Sequence, residues 1–439
     1  MEQINNMLRD DNLYKAAIQA LHGLQSNSNY LKLVTKDNSQ ASDVRKLHDT
    51  KRYLIRSGIT LEKLDTLSVI HIAGTKGKGS TCAYTEAILR EHGFKTGFFS
   101  SPHLVNARER IRISGQSISK IQFTQNFWKI YKKLEATKEH ESDMPTYFKF
   151  LTILMFNIFL DEHVDVAIIE VGIGGLYDCT NIVRNPVCVG ITSLGLDHTS
   201  LLGNTVEDIA YQKSGIFKSG TVAFSVPQLP QAMRILEERA IERNSIQMAT
   251  EWLLTRDKVA SVSMDKIAIA LTSCKWPGRM QILRSSIGDF FLDGAHTIES
   301  IECCISWFND ISSGSKGKKV LIFNTSGTRD PIQLLIPLRS LHFYKAYFVP
   351  NLVGIKSLDN EMNSSSTDEQ RIRCEINSKI WGMNSVVANN VLEVLEDMKK
   401  NLEQKDNCER YQILVTGSLH LIGAVLAILD PNLTMNTEF

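Results

Sequence analysis

The chain has 439 residues, enough for two or three domains, and its 49 basic and 48 acidic side chains leave a formal charge of +1. That balance excludes a global field favouring nucleic acid or an anionic membrane, so any anion must be captured locally. Hydrophobic residues at 43% and charged residues at 22% match an ordinary globular protein. The eight cysteines form no C-x-x-C pair and no zinc spacing, so they read as reduced thiols of a cytosol-like compartment.

In chain order, the opening Met1-Glu2-Gln3-Ile4-Asn5 lacks the basic stretch and apolar core of a secretory signal, and its early acids argue against a mitochondrial leader. Amphipathic helices are expected over Leu13–Leu24 and Ser42–Arg56. A short strand, Val69–Ile72, then runs into the glycine-rich segment Gly74–Ser80 and a helix over Thr81–Glu91. Further apolar runs at Thr96–Phe99, Val164–Glu170, Val187–Thr192 and Thr221–Val226 alternate with helical stretches, the mark of a parallel sheet covered on both faces. Phe150–Leu160 is too short and too interrupted to span a bilayer and reads as a buried helix. The expectation is a soluble protein.

Near Trp276-Pro277-Gly278 the pattern restarts. Strands are expected at Met280–Leu283, Phe290–Asp293, Val320–Asn324, Tyr344–Val349 and Gln412–Thr416, with helices at Thr297–Phe308 and Val391–Leu402. Ser312–Lys319 and Asn360–Arg373 read as exposed polar loops. The fold class is α/β: a P-loop-type, mainly parallel N-terminal domain over residues 1–275, then a smaller Rossmann-like α/β domain over 276–439.

Gly74-Thr75-Lys76-Gly77-Lys78-Gly79-Ser80-Thr81 is the strongest local signal. Its three glycines let backbone N–H groups turn toward phosphate oxygens, the following helix adds its N-terminal dipole, and Lys78 adds a point charge. Gly79 separates lysine from serine, so the spacing departs from the standard G-x-x-x-x-G-K-[ST] form. Open parallel sheets place ligands outside the carboxyl ends of their strands. Ser100, Glu170 and His198 follow three such strands, and a carboxylate, a hydroxyl and an imidazole there could hold magnesium beside phosphates.

These segments resemble the Mur-ligase superfamily, as do Ser100-Ser101-Pro102-His103-Leu104, Glu170-Val171-Gly172-Ile173-Gly174-Gly175, Asp197-His198-Thr199, Gln212-Lys213-Ser214-Gly215-Ile216, Pro277-Gly278-Arg279 and Asp293-Gly294-Ala295-His296. With Tyr177-Asp178-Cys179-Thr180-Asn181 and Val415-Thr416-Gly417-Ser418-Leu419-His420, the similarity is to its folate branch, the eukaryotic folylpolyglutamate synthases, from about residue 13 to residue 426. The resemblance implies an ATP-dependent ligase adding L-glutamate to the γ-carboxyl of tetrahydrofolate and its polyglutamates through an acyl phosphate. It implies that Lys76, Gly77, Lys78, Gly79 and Ser80 hold ATP phosphates and that Ser100, Glu170 and His198 hold magnesium. A monovalent cation such as potassium is a further expectation. Lys213 matches a lysine carbamylated in the family. Arg279 and Asp293 match ATP-binding residues of the second domain, and His296 a residue placing glutamate or phosphate. A monomer is implied, cytoplasmic, with a mitochondrial matrix form from a longer isoform.

One family feature is missing. Relatives carry a His-Gln…Asn-Ala helix at the adenine site, and the short stretch from Pro227 to Trp276 holds only an amphipathic helix (Gln228–Arg243) and an apolar segment (Ala260–Thr272). Dihydrofolate synthase, and a folate- or nucleotide-binding form with impaired catalysis, are the alternative readings.

Overall fold

The computed structural model describes residues 2–24, 40–243, 262–314, 317–325, 330–354, 367–403 and 410–435. They fall into two units, Met1–Pro102 with Arg108–Cys274, and His103–Ala107 with Lys275–Phe439.

In the first unit, helices α1 (Glu2–Gly23), α2 (Gln40–Ser57) and α3 (Leu61–Leu64) precede strand β1 (Val69–Ala73) and helix α4 (Lys78–Glu91). Strand β2 (Thr96–Phe99) follows, then a hairpin of β3 (Ile111–Ile113) and β4 (Gln116–Ser117), and helices α5 (Lys120–Ala136) and α6 (Tyr147–Asp161). The remainder is β5 (Val166–Glu170), β6 (Cys188–Ile191), α7 (Thr199–Leu202), α8 (Val206–Lys213), β7 (Val222–Ser225), α9 (Pro230–Glu242) and α10 (Met264–Ser273). The sheet order is β4-β3-β2-β5-β1-β6-β7, parallel except for the hairpin. The chain leaves β1 toward β2 on one side and later reaches β6 on the other, so the order reverses beside β1. Ligands of open α/β sheets gather at such a point.

Burial explains the sequence pattern. All five residues of β1 are buried, as befits a central strand covered on both faces, and His71 is its one polar side chain. Helix α6 buries nearly its whole circumference, which makes the apolar window around Phe150 a core helix. Ser119 caps α5 by accepting from Gln122 N, and Thr205 with Asp208 forms a capping box on α8. Asp143, fully buried before α6, accepts from Arg52 and Arg56 of α2 and from the Tyr53 hydroxyl, tying the N-terminal helices to the α5–α6 connection. Helix α4 begins at Lys78, three residues before the expected start, so Lys78, Gly79 and Ser80 lie in its first turn.

The second unit contains β8 (Gln281–Arg284), β9 (Gly288–Leu292), α11 (Ile298–Ser312), β10 (Lys318–Phe323), α12 (Pro331–Leu338), β11 (Lys345–Phe348), α13 (Thr367–Trp381), β12 (Ser385–Val387), α14 (Val391–Glu403), β13 (Tyr411–Thr416) and α15 (Leu419–Leu429). Its sheet, β12-β11-β10-β13-β9-β8, is parallel apart from β8. One face packs on α14 and α15, the other on α11, α12 and α13. Gly423 of α15 lets the Leu104 carbonyl come so close that a Cβ would lie 2.1 Å from it, which seats His103–Ala107 in this unit.

Two expectations are corrected. Residues 367–373 of the expected loop Asn360–Arg373 are the first half of α13, while 360–366 lie outside the described residues. Ser312 and Lys318–Lys319 belong to α11 and β10. The seven described cysteines are free thiols; Cys408 lies outside the described residues. Among the described residues no helix is long and apolar enough to cross a membrane.

Candidate active site

The loop after β1 is shaped by backbone geometry that only glycine tolerates. Gly74 has φ +151°, and a Cβ there would fall 1.8 Å from Thr192 Oγ1. Gly77, at φ +85°, is the N-cap of α4 and offers no side-chain cap. The first N–H groups of α4 have no acceptor within the helix, and together with its dipole they form an anion-binding terminus. Thr75 N and Lys76 N donate to Ser193 O at 2.9 and 3.1 Å, fastening the loop to the segment after β6. Lys76 Nζ lies 3.3 Å from Asp197 Oδ2.

Ser100 and Glu170 stand side by side because β2 and β5 pair in register, Phe99 opposite Ile169. The Glu170 carboxylate is buried, accepts from Ser101 N at 3.0 Å, and lies 4.0 Å from Lys78 Nζ. His198 is exposed, seven residues beyond β6, with φ +51° at the start of α7. The structure thus brings Ser100, Glu170 and Lys78 together at adjoining strand and helix ends. A carboxylate and a hydroxyl, both hard oxygen donors, suit a magnesium ion that keeps several waters. Among the described residues no three His, Cys, Asp or Glu cluster as a metal cage.

Lys213, at the end of α8, is 4% exposed and donates to Gly74 O at 2.8 Å. Burial pushes its amine down to about 7, with repulsion from Lys78 and Lys76 adding to the shift and Asp197 and Asp178 opposing it. The backbone holding Lys213 packs directly on the segment after β5. A Cβ on Gly175 would lie 2.7 Å from Lys213 O, and one on Gly215 2.3 Å from Leu176 Cα. Asn181 bridges the two segments, its Nδ2 donating to Leu176 O and Gly215 O.

In the second unit, Asp293 ends β9 and accepts from Met280 N and Ala295 N, each at 2.9 Å. Burial raises its carboxyl above the usual range, against those two bonds and the nearby Arg279 charge. Arg279 lies one residue after Gly278, whose N–H donates to Gln281 Oε1. His296 Nδ1 is 2.7 Å from Gly294 O, so the proton of that bond sits on Nδ1.

Two groups escaped the sequence reading. Asp197 was visible only as the neighbour of His198, yet it is the partner of Lys76. The buried set His71, Thr180 and Asp178 joins β1 to the loop after Glu170 through residues 109 positions apart, and no local signal announces it.

No family model matches the chain. It is 42% identical to the mitochondrial folylpolyglutamate synthase of Bos taurus over 434 residues, covering 84% of this chain and 74% of that protein. The chain belongs to the folylpolyglutamate synthase family. The human mitochondrial folylpolyglutamate synthase is 41% identical over 84% of this chain and 73% of its own length. The Arabidopsis thaliana folylpolyglutamate synthase is 35% identical over 84% and 81%. Among solved structures, a Mycobacterium tuberculosis folylpolyglutamate synthase complexed with ADP matches with TM-score 0.71 at 22% identity, covering 88% of this chain and 94% of that one. A bifunctional folylpolyglutamate synthase/dihydrofolate synthase from Yersinia pestis, complexed with AMPPNP and a manganese ion, matches with TM-score 0.67 at 25% identity over 87% and 93%.

Proposed function

We infer that this chain is an ATP-dependent ligase that joins L-glutamate to the γ-carboxyl of tetrahydrofolate and its polyglutamates, retaining folates for one-carbon metabolism. The observation that carries the reading is the phosphate loop with Lys78 set beside the buried Glu170, in a chain whose family members are folylpolyglutamate synthases.

A carboxylate is a poor electrophile, so the γ-carboxylate of the folate attacks the γ-phosphorus of ATP and ADP leaves. The glutamate amine attacks the resulting acyl phosphate, loses a proton, and inorganic phosphate departs. No covalent bond to the protein is needed. The loop amides and the α4 terminus hold the phosphates, and Lys78 faces the charge on the transferred group. Ser100, Glu170 and His198 would hold magnesium, which when bound supplies Lewis-acid charge at the phosphates. Lys76, Gly77, Gly79 and Ser80 complete the phosphate contacts. Lys213, neutral in good part near pH 7, is the amine open to carbamylation. We assign Arg279 and Asp293 to the nucleotide and His296 to glutamate or phosphate. Residues 1–275 form the ATPase domain and residues 276–439 the glutamate-ligase domain. The enzyme acts as a monomer in the cytoplasm, with a mitochondrial form like that of its named relatives.

The test is incubation of the purified chain with ATP, magnesium, tetrahydrofolate and labelled glutamate, followed by mass analysis of the folates. A ladder of products, each one glutamate longer, is expected. Acceptance of dihydropteroate with refusal of tetrahydrofolate would reassign the enzyme as a dihydrofolate synthase.

A further inference from the structure

One buried side chain is not called for by the ligase chemistry. His71 occupies the middle of β1, between Ile70 and Ile72, and is wholly buried. Every other residue of that strand is apolar. Burial, with the Lys218 charge in support, pushes the imidazole down to about 3, so it is neutral at any working pH. Its Nδ1 is buried without a hydrogen-bond partner, which costs about 1–3 kcal/mol. An apolar residue would avoid that cost, so the other ring nitrogen is where a reason for histidine is to be found.

His71 Nε2 lies 2.8 Å from Thr180 Oγ1. The Thr180 hydroxyl has one proton, and it is directed to Asp178 Oδ1 at 2.5 Å. The threonine oxygen therefore accepts from the ring, which fixes the Nε2–H tautomer. Asp178 accepts three more bonds: from Thr180 N on Oδ1 at 2.9 Å, and from Gly172 N and Ile173 N on Oδ2 at 3.1 Å each. Four donors fill both oxygens, so the carboxylate form is the one this arrangement holds, even though burial raises its pKa.

The chain of bonds has a direction and two ends. One end is the strand that feeds the phosphate loop, His71 being three residues before Gly74. The other is the backbone two and three residues after Glu170. That loop crosses Phe148 so closely that a Cβ on Gly172 would lie 2.7 Å from the ring, and further on Leu176 N donates to Gln212 O beside Lys213. Displacing it would move the supports of Glu170 and Lys213 together.

We propose that His71 is a positioning residue of the ligase. Through Thr180 and Asp178 it sets the loop after Glu170 relative to the phosphate loop, a role that rests on the function inferred above. A His71→Leu variant removes the donor, whereas His71→Gln keeps an N–H near the Nε2 position. Thr180→Val breaks both bonds of the hydroxyl, and Thr180→Ser keeps them.

The experiment is a double-mutant cycle on kcat, normalised to folded protein, with KM for ATP and folate measured separately. His71→Leu and Thr180→Val should each lower kcat by about 10- to 100-fold. The double variant should fall no further than the worse single one, because both cut the same chain. His71→Gln and Thr180→Ser should recover most of the rate. Losses that multiply, or a His71→Leu enzyme that unfolds more easily but turns over normally when folded, would overturn the proposal.

Should the leucine variant fail to fold, the glutamine and serine variants and a spectroscopic arm still decide. Isotope-labelled histidine in the wild-type chain should give a neutral, Nε2-protonated ring for His71 that shifts in Thr180→Val. An Nδ1-protonated or charged ring would overturn the assignment. This arm needs no turnover, so a failure of ligase activity is separable from a failure of the positioning role.

Discussion

At 4% exposure, the Lys213 amine sits where a charge is costly, between the Gly74 carbonyl it donates to and the repelling Lys78. Its folded pKa, about 7, lies below the ordinary value of 10.5. Between those two pH values the unfolded chain binds the extra proton, so stability rises with pH across that window. Below it both states are protonated and the penalty for burying the charge is complete. Lys213→Met should therefore gain stability on wild type at about pH 6 by roughly 2–4 kcal/mol more than at about pH 9. Urea unfolding at both pH values checks this, and an equal gap would show that the amine is not penalised by its site. The motif residues were legible from sequence because Lys76, Lys78 and their glycines are neighbours in the chain. Asp197, Thr180 and Asp178 were not legible as partners, because Lys76 meets Asp197 across 121 positions and His71 meets Thr180 across 109. Spacing along a chain cannot announce a bond that only sheet pairing creates.

The phosphate loop is held by its neighbours as much as by its own residues. Thr192, at the end of β6, occupies the space a Gly74 side chain would need, and the Ser193 carbonyl anchors two loop amides. Gly74→Ala should keep the fold at a cost of about 2–4 kcal/mol and lose nucleotide binding, since the methyl must push either the loop or Thr192 aside. Calorimetric titration with ATP and magnesium reads the outcome, and wild-type affinity would show that the loop tolerates the shift. Strands such as β1, β5 and β13 were readable because both faces are apolar. Helix α13 was not, since the residues it buries include Gln370, Cys374 and Asn377, leaving no apolar stripe to show the helical period. The two-residue β4 is too short to carry any periodicity. Helix α4 began earlier than expected because glycine at 77 and 79 hides helical propensity that the phosphate-loop geometry overrides.

For the whole molecule, the change of pattern near residue 276 marked a second sheet, and the described residues form two units, one on either side of Cys274 apart from His103–Ala107. The match to the bovine enzyme runs over 434 residues yet takes in only 84% of this 439-residue chain, so the relative carries segments with no counterpart here. That agrees with the short stretch between Pro227 and Trp276, part of which lies outside the described residues. The phosphate-loop lysines, Glu170 and Lys213 are nevertheless all present, and the proposed chemistry rests on them. The measurement that tests it most directly uses tetrahydrofolyl glutamate whose γ-carboxyl is labelled with heavy oxygen. With ATP, magnesium and unlabelled glutamate, the first glutamate joined to that carboxyl should deliver one labelled oxygen into inorganic phosphate, as an acyl phosphate requires. Label-free phosphate from that first addition, or release of phosphate without a lengthened folate, would contradict this chemistry.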